Sequence, residues 1–209
     1  NALNDKSKSI SHCYADLMTL YSVRYRDLLI KNKIIERKKT FLTGVPRIDR
    51  LYKFKEKKTN KKILIMLMQV LKTKDKRNYK AVNFWKELSV DMIRSIIEIA
   101  RENPQQEFLF KTKISNEVFS LNQRKIIQTA NLNNLKIIYG GSSLDFIEKS
   151  KCVIGFNSTC LLEGIAAKKI VLVPYFGINK DKFKKDFTMY LNDGVLLSHN
   201  KSQFKRYLN

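Results

Sequence analysis

Ser158, Thr159 and Glu163 are the side chains of this 209-residue chain whose types and spacing best fit a chemical task. They stand in the stretch CVIGFNSTCLLEGIAAKKIVLVP, residues 152 to 174. Val153 and Ile154 belong to a short β-branched run that reads as a buried strand, Gly155 ends it, and Asn157-Ser158-Thr159 carries helix N-cap chemistry. A helix starting there turns its first N–H groups and its positive dipole end toward the loop, which suits a phosphate. Thr159 and Glu163 are four residues apart and share one helix face, so a carboxylate lies one turn inward from a hydroxyl. An anion there is badly placed for phosphate and well placed to accept hydrogen bonds from a diol such as ribose. The ordinary alternative is a capped helix with a solvated glutamate.

Positioning these groups requires a strand before them and a strand after, the latter read at residues 170 to 174. Upstream, residues 62 to 69 (KILIMLMQ) are almost continuously apolar, as in a parallel strand buried on both faces. Residues 84 to 100 have helical spacing, with Phe84 and Trp85 on the apolar face and so in the core. Strands follow at 106 to 113, 135 to 139 and 194 to 198, helices at 116 to 130 and 143 to 149, and an unfinished helix from Ser202. Alternating strands and helices call for a parallel sheet covered on both faces, with ligands beyond the carboxyl ends of the strands. The polar ends are the basic loop at 70 to 80, Lys111 and Lys113, Tyr139-Gly140-Gly141-Ser142, residues 155 to 158, and Tyr175-Phe176-Gly177. Lys111 and Lys113 read either as phosphate ligands or as surface lysines. No G-x-G-x-x-G or G-x-x-x-x-G-K-[ST] occurs, which argues against a dinucleotide fingerprint or a P-loop.

Ahead of this pattern, residues 11 to 36 read as two amphipathic helices, residues 40 to 43 as a short strand, and Gly44 with Pro46 as a turn. A charged tether at 53 to 62 follows. The formal net charge of +22 favours polyanionic partners, although lysines spread over the whole chain are also what a solvated surface looks like. Cys13, Cys152 and Cys160 have no paired spacing, and with only His12 and His199 there is little material for a zinc site or a histidine triad. No metal or cofactor is expected. No apolar run approaches the roughly 20 residues that span a bilayer. The chain opens on Asn1 in mid-pattern, so a fragment of a longer protein is expected.

Residues 152 to 174 resemble the donor-binding motif of glycosyltransferases built from two Rossmann-like domains, the GT-B type. The resemblance is strongest to the CDP-glycerol glycerophosphotransferase and the capsule or surface polysaccharide transferase branches. An ST-x3-E pattern is matched by Ser158, Thr159 and Glu163, with Ala166, Ala167, Lys168, Val171 and Pro174 following. Thr43, Gly44, Pro46, Arg47 and Asp49 are similar to the TG-x-PR-x-D linker between the acceptor and donor domains of those enzymes. Where the relatives commonly have Lys-x-His-Pro, this chain has Lys111-Thr112-Lys113-Ile114, so a fixed charge replaces a histidine.

The resemblance implies a doubly wound, Rossmann-like α/β donor domain over residues 51 to 209. Residues 1 to 50 would then be the tail of a second α/β domain together with the linker Gly44, Pro46, Arg47 and Asp49. It implies donor binding by Lys111, Lys113, Tyr139, Gly140, Gly155, Asn157, Ser158, Thr159 and Glu163, with the base near residues 139 to 142. The expected reaction moves a glycosyl or glycerophosphoryl group from a nucleotide-activated donor to a polysaccharide or lipid-linked acceptor. The catalytic base would lie in the largely missing domain, so the chain alone is expected to bind without turnover. A cytoplasmic location with peripheral contact at an anionic membrane surface goes with that role. Two alternatives stand beside it: a sugar-nucleotide 2-epimerase of the same architecture, and a basic nucleic-acid-binding module. The second is opposed by aromatics that fall on core-facing positions, and no nucleic acid partner is expected.

Overall fold

Met18–Leu20 forms strand β1, where the spacing of residues 11 to 36 predicts the first of two helices. The computed structural model describes residues 15–53, 62–67, 79–112, 118–156, 158–176 and 195–208. The chain divides into two compact units, Asn1–Arg50 and Leu51–Asn209. In the first, Ser22 sits in extended backbone and accepts from Tyr25 N–H at 3.4 Å, which caps helix α1, Val23–Lys31. β1 runs parallel to β2, Thr40–Leu42, with Thr19 opposite Phe41. Pairing turns Leu20 into a small core with Leu29 and Ile35, and this burial overrides the local helical pattern. Gly44 then takes φ +68°, a backbone that side chains with a Cβ rarely adopt, and Pro46–Ile48 makes one 3₁₀ turn. Helix α2, Asp49–Tyr52, follows.

The second unit is strand-helix alternation, as its hydrophobic pattern requires. Strand β3, Lys62–Met66, leads to helix α3, Tyr79–Glu102, and strand β4, Glu107–Thr112. Helix α4, Val118–Thr129, precedes strand β5, Leu135–Tyr139, helix α5, Ser143–Glu148, and strand β6, Ser150–Ile154. Helix α6, Thr159–Ala166, strand β7, Ile170–Pro174, strand β8, Leu196–Ser198, and helix α7, Lys201–Leu208, complete it. Among the described residues these six strands pair in parallel, in the order β5-β4-β3-β6-β7-β8.

Numbered within the sheet, that order is 3-2-1-4-5-6, the doubly wound arrangement whose direction of winding reverses between β3 and β6. Ile63, Leu64 and Ile65 are fully buried, so both faces of β3 are covered. Helix α3 packs with α4 and α7, and α5 packs with α6. Phe84 and Trp85 lie in the core, where Trp85 stacks on Phe156 with ring centroids 5.4 Å apart. Burial also pushes the Cys152 thiol up to about 12, which leaves it an inert apolar side chain.

Candidate functional site

The crevice of a doubly wound sheet opens where neighbouring crossovers leave the sheet on opposite faces, here at the carboxyl ends of β3 and β6. Met66 at the end of β3 is in register with Lys111 of β4 on one side. On the other side it abuts Gly155, where a Cβ would lie 3.1 Å from Met66 Cβ and 3.3 Å from its carbonyl oxygen. Glycine at 155 therefore lets the two strand ends close on each other, and the chain leaves β6 directly over the reversal point. Phe156 anchors this exit in the core.

Ser158 adopts φ −126° and ψ 132° and accepts from Cys160 N–H at 3.3 Å, so it is the N-cap of α6. Thr159 is exposed beside it. The first turn of α6 thus presents an exposed hydroxyl and the positive end of the helix dipole at the crevice. Gly164 keeps α6 close to the sheet: a Cβ there would lie 3.0 Å from Val171 Cγ2 and 3.2 Å from Val153 Cγ2.

One turn inward, Glu163 is buried, only 4% exposed, and its Oε2 accepts from the Ser143 hydroxyl at 3.0 Å. That bond ties α6 to the first residue of α5, so the loop after β5 and the helix after β6 meet at one place. Within the same loop Gly140 and Gly141 take φ +67° and +70°. Their carbonyl oxygens both accept from Lys111 Nζ, that of Gly141 at 3.1 Å. The Lys111 ammonium also lies 5.2 Å from the Phe146 ring centroid. Tyr139 stands exposed at the end of β5, with the Arg124 guanidinium 5.8 Å from its ring centroid.

Of the residues named from the sequence, Lys111 joins Gly140, and Glu163 lies on the helix that Ser158 and Thr159 begin. Gly155 packs on Met66. Lys113, Asn157, residues 70 to 78 of the basic loop and Gly177 lie outside the described residues, and Lys80, read as part of that loop, stands instead in the first turn of α3. Gly44, Pro46, Arg47 and Asp49 belong to the first unit and its exit. Gly141 is legible in the sequence only as part of the loop at 139 to 142, and Ser143 and Phe146 are not legible as site residues; Gly-Gly-Ser-Ser before an apolar run reads as a turn and a helix start, and nothing local reveals that a lysine 29 residues earlier would need those carbonyls.

Among the described residues, no group of three or more His, Cys, Asp or Glu is placed to hold a metal, and no helix is long and apolar enough to cross a membrane. A groove of about 520 Å³ between α3 and α4, lined by Arg94, Arg101, Lys125 and Ile126 among others, flanks the last turns of those helices. By the connectivity, that places it at the opposite end of the sheet from the crevice.

No family model and no curated protein matches the chain. Solved structures do. The wall teichoic acid polymerase TagF superposes with a TM-score of 0.60 at 12% identity, over 99% of this chain and 51% of its own. A UDP-N-acetylglucosamine 2-epimerase from Listeria monocytogenes, described as putative, gives 0.56 at 15% identity, over 92% and 50%. The Neisseria meningitidis UDP-GlcNAc 2-epimerase bound to UDP-GlcNAc gives 0.54 at 16%, over 92% and 51%. This chain therefore spans about half the length of these proteins. At such identities the likeness is one of fold: the Rossmann-like α/β arrangement shared by GT-B glycosyltransferases and the 2-epimerases, as the sequence resemblance implied.

Proposed function

We propose that this chain supplies the donor-binding half of a transferase that moves a glycosyl or glycerophosphoryl group from a nucleotide-activated donor to a cell-surface polymer or its lipid-linked precursor. The observation that carries the reading is the meeting of three features at the winding reversal of the sheet. They are the capped start of α6 with Thr159 exposed, the buried Glu163 one turn inward, and the Gly140-Gly141 loop tied to Glu163 through Ser143.

The departing nucleotide diphosphate would rest on the first turn of α6, whose dipole and N–H groups stabilise negative charge without rearranging. Glu163 would accept from the ribose hydroxyls, and the loop at Tyr139 to Ser142 would take the base. Deprotonation of the acceptor falls to groups outside these residues, so the chain alone binds and does not turn over. The net charge of +22 fits an enzyme that works at an anionic membrane surface, where the acceptor would be held.

The likeness to the two 2-epimerases supports a second reading, in which the same site holds a UDP-sugar for inversion at its C2. The need for an acceptor separates them: epimerisation requires none, whereas transfer requires one. For the chain itself, replacing Ser158 and Thr159 with Ala should weaken nucleoside diphosphate binding in calorimetry and cost about 1 kcal/mol of stability through the lost cap. Unchanged affinity beside lower stability would leave these residues a capping role alone.

A further inference from the structure

Lys111 is 9% exposed and stands at the carboxyl end of a central strand, where a free ammonium would be costly. Its charge is met by two consecutive carbonyl oxygens, those of Gly140 and Gly141, and by the face of Phe146. Both glycines favour this loop. Each has a left-handed φ, and at 141 a Cβ would lie 3.1 Å from Phe146 Cε2.

We propose that Lys111 is a positioning residue for nucleotide binding: it fixes the loop that receives the base and does not itself ligate the phosphates. The inference rests on the reading of the crevice as a nucleotide site. In a planar trans peptide the N–H points opposite to the C=O. With the Gly140 and Gly141 carbonyls turned in to Lys111, the N–H groups of Gly141 and Ser142 point away from it, and Gly140, Gly141 and Ser142 are all exposed. The loop therefore offers a ligand two successive backbone donors and withholds the matching acceptors. A ligand edge that accepts hydrogen bonds, such as O2 and N3 of cytosine or a carbonyl of uracil, fits this arrangement. Ser143 next in the chain is held by Glu163, so the lysine at one end and the glutamate at the other fix the loop against the ribose side of the site.

The test divides the ligand. UDP, CDP, the free nucleosides uridine and cytidine, and inorganic pyrophosphate are titrated into the 209-residue chain and into Lys111→Met, by calorimetry for the diphosphates and NMR shifts for the nucleosides, at several salt concentrations. Lys111→Met should weaken the nucleoside diphosphate and its free nucleoside by the same factor, about tenfold, because a loop no longer ordered in advance must be ordered on binding. Pyrophosphate affinity and its salt dependence should stay as in the native chain, since no phosphate contact is lost. If Lys111→Met instead loses pyrophosphate affinity and salt dependence while keeping the nucleoside, Lys111 is a phosphate ligand and the inference is overturned; native-like binding of every probe overturns it equally.

Gly140→Ala serves if the methionine variant does not fold, because a Cβ there meets nothing within 4 Å and only the φ of +67° is strained. It should give the same split, and native nucleoside affinity in it would contradict the role of the loop. Failure of the native chain to bind either diphosphate is a different result: it removes the nucleotide reading itself, and the inference with it.

Discussion

Glu163 is the residue on which structure and proposed chemistry bear most closely. A buried carboxylate needs strong donors, and the Ser143 hydroxyl is one that the fold supplies. If the ribose hydroxyls add to it, Glu163→Ala should lose about 1.5 to 3 kcal/mol of ribonucleotide affinity, the scale for hydrogen bonds to a charged group, and Glu163→Gln less. Competition with 2′- and 3′-deoxynucleotides separates this from general damage: native protein should discriminate against them and the Ala variant should not. Equal discrimination in both would take the ribose away from Glu163. The position of this residue is legible in the sequence from its four-residue distance to Thr159. Its burial and its bond to Ser143 are not, because they depend on how two helices pack across 20 residues of chain.

At the level of elements, hydrophobic pattern locates each described strand of the larger sheet: β3, β4, β6 and β7 are mostly buried and read as apolar runs whatever their neighbours, and the edge strand β5 keeps the apolar run LKIIY although none of its residues is buried. It fails at Met18–Leu20, where three residues carry too little pattern and partner pairing decides. Two elements carry predictions. Gly164 lets α6 lie against β6 and β7, and Gly164→Ala pushes a methyl against Val171 and Val153. Overpacking of about 1 to 3 kcal/mol should exceed the roughly 1 kcal/mol that Ala gains over Gly in a helix, so thermal melting should show a lower Tm. A raised Tm would mean that the sheet yields freely at this contact.

At the amino ends of the strands, Glu107 bridges Lys136 at 2.6 Å and Lys62 at 3.2 Å, joining β5, β4 and β3. The hydrogen bond from Lys136, and then that from Lys62, hold its carboxyl below the ordinary 4.5. A depressed folded-state value means stability that is present above the unfolded value and is lost as pH falls through the folded one. Glu107→Gln should therefore lower stability at neutral pH and flatten the acid limb below 4.5, whereas an unchanged acid limb would show that the two lysines act only as solvated neighbours.

For the whole molecule, the question is whether a small crevice or a large basic surface decides where a nucleotide binds. Forty-one lysines and arginines could draw a nucleotide to many places, so affinity alone does not locate the site. Strand-helix alternation and the order of the motifs make the doubly wound sheet legible in the sequence itself. The strand order that puts β3 beside β6 follows only from resemblance, because hydrophobic pattern marks which segments are strands more readily than which ones pair. The direct measurement is a titration of isotope-labelled protein with UDP and CDP, followed residue by residue through backbone amide shifts at moderate salt. Saturating shifts should gather at Gly155, Ser158, Thr159 and Cys160, at Gly140 to Ser143, and at Glu163. The α3–α4 groove around Arg94, Arg101 and Lys125, and the unit Asn1–Arg50, should stay still. Saturating shifts confined to that groove, or spread over surface lysines and abolished by salt with the start of α6 unmoved, would contradict the proposed site.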